Sequence, residues 1–184
     1  MPRLSKEFKE AIEEISVPDI RKLVRELAAK NQEIHELINL KYVTGKTVEQ
    51  DLFEETKQKV LGEIIFMNYR RNVQKPLAKA ISRAVKHINC FVKITKNKVL
   101  EAELLLALLN EVYDNYSDKL GTCWRVFDSK LAVTTYRFQN LVTTKLHEDY
   151  LIEYKEPLNR FLRILQTKSR HLDYIYDMTE SIEK

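Results

Sequence analysis

The sequence predicts an all-α fold, a single-domain irregular bundle of about seven to eight antiparallel helices over residues 1–184. Three observations carry this expectation. Apolar residues recur at three- and four-residue spacing almost without interruption. Only three glycines and four prolines interrupt 184 residues, so turns are few and helices are long. No stretch alternates with period two over a useful length, so no sheet is expected. A short stack of helical hairpins is the alternative architecture. It requires an internal repeat of roughly 33–47 residues, and no such repeat can be aligned, which favours the irregular bundle.

The elements follow in chain order. Ser5 can cap a first short helix whose apolar face is Phe8, Ile12 and Ile15. Ser16-Val17-Pro18-Asp19 restarts the chain: the serine hydroxyl can accept from the Asp19 amide, the Asp19 carboxylate suits the positive helix start, and Pro18 needs no amide partner there. Ile20, Leu23, Val24 and Leu27 form the stripe that follows. Asn31 can cap a third helix with Ile34, Leu37 and Ile38 inward and Val43 a further candidate, ending at the Thr44-Gly45-Lys46 turn. Thr47 opens a fourth helix running to about Phe66. A fifth runs from Pro76 to about Ile94. The stretch VLEAELLLALLNEVY, apolar on almost every side, reads as a central helix over residues 99–117 surrounded by other helices. Leu120-Gly121-Thr122 ends it, and helices at about 123–145, 148–167 and 171–182 complete the chain.

Leu4-Ser5-Lys6 opening a short helix, the paired IRKLVRELAAKNQEIHELI, the AKAISRAVKHI helix and LLLALLNEVYDNYSDKLG together resemble a family of uncharacterised bacterial all-helical proteins. The resemblance rests on the order and texture of helices across most of the chain. It implies an all-α fold and a bacterial origin, and it carries over no functional residue. The last third is richer in threonine and basic residues than the family pattern.

Composition narrows the function classes. A chain of this length can bury about 70 % of its unfolded surface, so it needs no metal or disulfide to fold. Met1-Pro2-Arg3-Leu4 lacks a hydrophobic signal region, and the longest uncharged aliphatic run, Leu104 to Leu109, falls short of the ~20 residues that span a bilayer. The expectation is a cytoplasmic protein. Cys90 and Cys123 lie outside any CxxC pair and read as reduced packing residues. The glycines at 45, 62 and 121 are isolated, so neither GxxxxGK[ST] nor GxGxxG is present. Helical metal sites place ligands at i, i+3 or i+4. His35, His87, His147 and His171 have no glutamate three residues before them and no histidine four away, and consecutive side chains such as His147-Glu148-Asp149 point about 100° apart, so that string reads as a polar helix junction. No serine sits in GxSxG, and Cys123 has no evident base. No cofactor is expected. The tyrosines, with Tyr113 and Tyr116 sharing one face and Tyr150 and Tyr154 another, read as core-rim residues with their hydroxyls in water. Glu10, Glu13, Glu14, Glu54 and Glu55 read as solvated faces.

One stretch stands apart. Between Ile64 and Leu100 lie nine basic residues and no acidic one, leaving 22 basic against 27 acidic elsewhere, so the formal net charge of +4 comes wholly from this fifth of the chain. On the fifth helix, Lys75, Lys79, Arg83, Lys86 and Lys93 fall opposite the apolar side formed by Leu77, Ile81, Ala84, Val85, Ile88, Phe91 and Val92. From Lys75 to Lys93 the stripe covers about 27 Å at ~1.5 Å per residue. Solvated helices ordinarily mix signs, because opposite charges at i, i+4 contribute ~0.2–0.5 kcal/mol per pair and like charges cost about the same. This reading makes Arg70, Arg71, Lys75, Lys79, Arg83, Lys86 and Lys93 a docking face for an acidic partner on a non-enzymatic interaction module. An acidic protein surface is favoured over nucleic acid, whose readers usually have a pI above ~9 and a recognisable module; this chain has a pI near 8.9. Sequence-nonspecific nucleic-acid binding through the same face is the alternative. An enzyme whose site is assembled only in space is a third reading. Acidic helices of the same protein lying alongside the stripe would neutralise it and remove the docking role. The apolar side is needed for the core, which argues against a membrane role, and a homodimer through leftover apolar faces is compatible with the pattern.

Overall fold

A computed structural model of the chain describes residues 5–43, 46–65, 73–122, 125–169, 178–179 and 181–182, with side chains in the fourth helix from Glu49 onward. The described residues form helices and their connections, with no strand among them, so the fold is an all-α multi-helix bundle. By its contacts the chain, read from sequence as one domain, divides into two compact units, residues 1–48 and 49–184. The boundary falls inside a helix rather than at a glycine- or proline-rich linker.

The first unit carries three short helices, α1 (Lys6–Glu14), α2 (Val17–Lys30) and α3 (Gln32–Ile38), then a widened π-type turn at Asn39–Val43. Their starts follow the side-chain chemistry of the caps. Ser5 Oγ accepts from the Phe8 amide at 3.2 Å. Ser16 Oγ accepts from the Asp19 amide at 3.3 Å and donates to Asp19 Oδ2 at 2.6 Å. Asn31 Oδ1 accepts from the Glu33 amide at 2.9 Å. The apolar faces, however, do not close a core: no residue of α1, α2 or α3 is fully buried. Phe8, Ile12, Leu23, Val24 and Leu27, expected inward, are exposed, as is Val43. Helices of two to four turns present too little apolar area to enclose a dry interior by themselves.

The second unit is built from all but the first three residues of α4 (Lys46–Ile65), then α5 (Gln74–Thr95), α6 (Lys98–Tyr116), a 3₁₀ turn at Ser117–Lys119, α7 (Arg125–Thr144) and α8 (Glu148–Lys168). The predicted central helix is α6, whose Leu104, Leu105, Leu108, Leu109 and Val112 are completely buried. It shares the centre with α7, which packs on α5, α6 and α8. Asn97 starts α6 by accepting from the amides of Val99 and Leu100 through one side-chain oxygen. Among the aromatics, Tyr113 stacks on Phe161 with ring centroids 4.6 Å apart, and Phe138 meets Tyr154 edge-on at 5.7 Å. Stacked and edge-on pairs of this kind add to what simple burial contributes.

Tyr113, Tyr116 and Tyr154 depart from the expected rim position, since all three are buried. Their hydroxyls find protein partners where the structure shows them: Tyr113 Oη lies 2.9 Å from Thr135 Oγ1, and Tyr116 Oη donates to the Ile64 carbonyl at 3.3 Å. Burial drives the Tyr113 phenol far above its ordinary range, and that of Tyr154 is pushed up to about 12, by burial first and then by Glu103 and Glu153.

The predicted last helix lies mostly outside the described residues. The residues described near its end, Met178, Thr179, Ser181 and Ile182, are not helical. The Asn159 side chain explains this locally, because its Oδ1 accepts from the Ile182 amide at 2.9 Å and its Nδ2 donates to the Ile182 carbonyl at 3.3 Å. The Ile182 amide, which in a helix would donate to the Met178 carbonyl, is thus taken by α8. Met178 is buried, and Thr179 Oγ1 accepts from the Gln139 side chain at 2.8 Å.

Candidate docking face

Helix α5 begins at Gln74 after Val73, which offers no side-chain cap, and Pro76 occupies its first turn where no amide partner is needed. It stops at Lys96, a non-glycine residue in the left-handed region at φ 56°, whose amide donates to the Val92 carbonyl. Between these ends one side sinks into the bundle: Leu77, Ala80, Ile81, Ala84, Ile88 and Phe91 are at most 1 % exposed. The opposite side carries the cations.

Lys75, Lys79, Arg83, Lys86 and Lys93 all lie on the exposed side of α5, as the helical spacing requires. Arg70 and Arg71 lie outside the described residues. The stripe is not uniformly unpaired. Arg83, read from sequence as part of the docking face, donates from Nε to Glu63 Oε2 on α4 at 2.6 Å, and the other oxygen of Glu63 sits 3.5 Å from His87 Nε2. The reason is register: Glu63 projects from the last turns of α4 alongside α5, a placement invisible without the tertiary fold. Lys75 and Lys93 each take part in an interaction within the protein. Lys79 and Lys86 have no hydrogen-bond or ion-pair partner among the described residues.

Beside the stripe, α5 and α7 enclose an open groove of about 540 Å³. Lys75, Lys79 and Arg83 line one side, Ala78 and Ser82 lie between them, and Val126 and Lys130 line the other. Val126 is half exposed, at 51 %. Lys130 is exposed on α7, and neither residue is singled out by the sequence reading. Lys130 lies about fifty positions away in sequence, in a helix of mixed charge, and only the α5/α7 packing brings it beside Lys79.

Lys98, the last cation of the basic run, is paired. Lys98 donates to Glu101 Oε2 at 2.7 Å, while Arg137 binds Glu101 Oε1 through Nη2 at 2.6 Å and Asn89 Oδ1 through Nη1 at 2.7 Å. Burial works against the Glu101 charge, but these hydrogen bonds and charges outweigh it and hold the carboxyl below its ordinary value of 4.5. This cluster ties α5, α6 and α7 together at the far end of the stripe.

The other chemically suggestive residues are dispersed. His147 caps α8, with Nδ1 accepting from the Asp149 amide at 3.4 Å, which is the polar junction the sequence suggests. His35 lies 3.4 Å from Asn39. Cys90 is a half-buried thiol, and Cys123 and His171 lie outside the described residues. Among the described residues, no group of three His, Cys, Asp or Glu side chains could hold a metal ion, and no helix is long and apolar enough to cross a membrane. No protein-family model, curated protein or solved structure matches the chain.

Proposed function

We propose that the chain is a non-enzymatic helical interaction module that uses the cationic side of α5 to dock an acidic protein surface. One observation carries the reading: α5 buries its apolar side in the bundle while Lys79 and Lys86, on the other, stand exposed with no carboxylate partner among the described residues. A solvated helix with no task to perform gains from mixed signs, and this one has none. The Arg83–Glu63 pair weakens the stripe at one position, and with the arginine side chain 50 % exposed it contributes little to stability. Three cations beside it, Lys79, Lys86 and Lys130, keep their charge for a partner.

The test is the double charge reversal Lys79→Glu, Lys86→Glu, read by the binding of the full chain to fluorescent poly-glutamate and to a generic DNA duplex. Loss of poly-glutamate binding with unchanged helical content supports the docking face. If the wild-type chain prefers the duplex, with affinity falling by a log–log slope of about −0.9 per phosphate contacted, the partner is nucleic acid and the protein-docking reading is wrong. If neither probe binds wild type, the face has no docking role.

A further inference from the structure

Resting on the docking reading above, we infer that the recognition element is the groove between α5 and α7, and that its occupant is an amphipathic helix of a partner protein with an apolar strip flanked on both sides by carboxylates. The geometry supplies the two halves of that description. The lining between the cations is mostly apolar: Ala78 and Ser82 are small, and the Ser82 hydroxyl is occupied by its own helix, donating to the Ala78 carbonyl at 2.8 Å. Val126 rises from α7 to complete it. Cations stand on both rims, Lys79 from α5 and Lys130 from α7, with Lys75 and Arg83, both also engaged within the protein, beside Lys79. A single anionic head group needs one cluster of donors, whereas charges on both walls match anions on both flanks of one ligand.

Length and exposure favour a helix as that ligand. Lys75 to Arg83 spans about 12 Å at ~1.5 Å per residue, roughly two turns of a facing helix at ~5.4 Å per turn. The groove is open to solvent, unlike the enclosed sites that bury most of a small ligand. A helix laid into such a groove places apolar side chains at i, i+3, i+4 and i+7 against the floor. Nucleic acid fits less well, because the floor offers aliphatic rather than aromatic surface among its described residues and stacking platforms for bases need rings.

The experiment uses the full chain and two labelled synthetic peptides of one composition: a helix former with leucines on one face and glutamates on both flanks, and its scrambled isomer. Anisotropy titrations are run on wild type and on Val126→Gln, Lys130→Glu and Lys86→Glu, with urea midpoints recorded to show that each variant is folded. The groove predicts that the ordered peptide binds about tenfold or more tightly than the scrambled one. Val126→Gln and Lys130→Glu should each weaken it by about tenfold, and Lys86→Glu, outside the groove, should leave it within about twofold. Equal binding of the two peptides overturns the groove. So does insensitivity to Val126→Gln and Lys130→Glu alongside loss in Lys86→Glu, and that result leaves the simpler cationic face standing. Failure of both peptides to bind wild type overturns the groove and the docking reading together.

Discussion

Asp128 offers the sharpest test of how the second unit is held together. Its side chain is completely buried on α7. Oδ2 accepts from the Gly121 amide at 2.8 Å and from Ser169 Oγ at 2.9 Å. One carboxylate oxygen therefore pins both the loop after α6 and the end of α8 to α7. Asp128→Ala removes the acceptor from two donors, one of them the fully buried Ser169 hydroxyl. A buried donor left without a partner costs about 1–3 kcal/mol, so the substitution should destabilise by roughly 2–5 kcal/mol. With a urea m-value of ~2 kcal/mol/M for a chain of this size, the unfolding midpoint followed by far-UV circular dichroism should fall by about 1–2.5 M. Asp128→Asn keeps an acceptor and should recover about half of the loss. Gly121→Ala probes the same joint from its other side, since Gly121 sits at φ +73° and an added Cβ would meet the Lys168 carbonyl oxygen. Because both changes undo one contact, the double variant should cost less than the sum of the singles. A midpoint shift under ~0.5 M for Asp128→Ala, or full additivity with Gly121→Ala, would refute the clamp.

The other predictions concern pH, the core and the stripe. Glu101 has a folded-state value below 4.5, so it contributes stability that is present above its unfolded value and lost as pH falls through the folded one. Glu101→Gln should destabilise the protein at neutral pH, by roughly 1–3 kcal/mol, and its gap to wild type should narrow on titration below pH ~4.5. Glu103 runs the other way. Burial first and Glu153 second raise its value, so it favours folding at acid pH and loses that contribution as pH rises through the raised value, and Glu103→Gln should steepen the acid loss. Tyr113→Phe should cost only about 0.5–1.5 kcal/mol, because Thr135 keeps its bond to the Leu131 carbonyl at 3.0 Å. Leu108→Ala at the centre of α6 should cost about 2–5 kcal/mol. A larger effect for the tyrosine than for the leucine, read by urea unfolding, would reverse the placement of the core.

What could be read from sequence and what could not divides along physical lines. Caps at Ser5, Ser16 and Asn31 depend on one side chain and an amide two or three residues on, so local sequence carries them. The two-sided character of α5 depends only on spacing within one helix. Arg83 bonding to Glu63, twenty positions away, depends on how α4 lies against α5, and no pattern within either helix encodes it. Lys130 joins Lys79 across α5 and α7 for the same reason. Asp128 reads as an ordinary acidic residue in a helix's first turn until the fold brings Gly121 and Ser169 to it. In α1 and α2 the amphipathic spacing was legible, but spacing gives the direction of a face and not the presence of anything to cover it. Near the chain's end, Asn159 takes both backbone groups of Ile182, a long-range contact that no pattern within residues 171–182 encodes.

The cations of α5 can be separated from its folding by magnitude. Burying Leu77, Ile81, Ile88, Phe91 and Ile94 contributes about 1.5–3 kcal/mol each as an upper bound, whereas the like-charge neighbours Lys75–Lys79 and Lys79–Arg83 each cost about 0.2–0.5 kcal/mol. The apolar side wins by an order of magnitude, so the helix forms whatever sign its outer face carries. It follows that Lys79→Glu should raise stability slightly, because the new carboxylate lies four residues from both Lys75 and Arg83. Binding and stability should therefore move in opposite directions in this one variant. Had the stripe been present to satisfy carboxylates of its own molecule, the two would fall together, and a urea midpoint lowered by Lys79→Glu would assign these lysines to the fold and not to a partner.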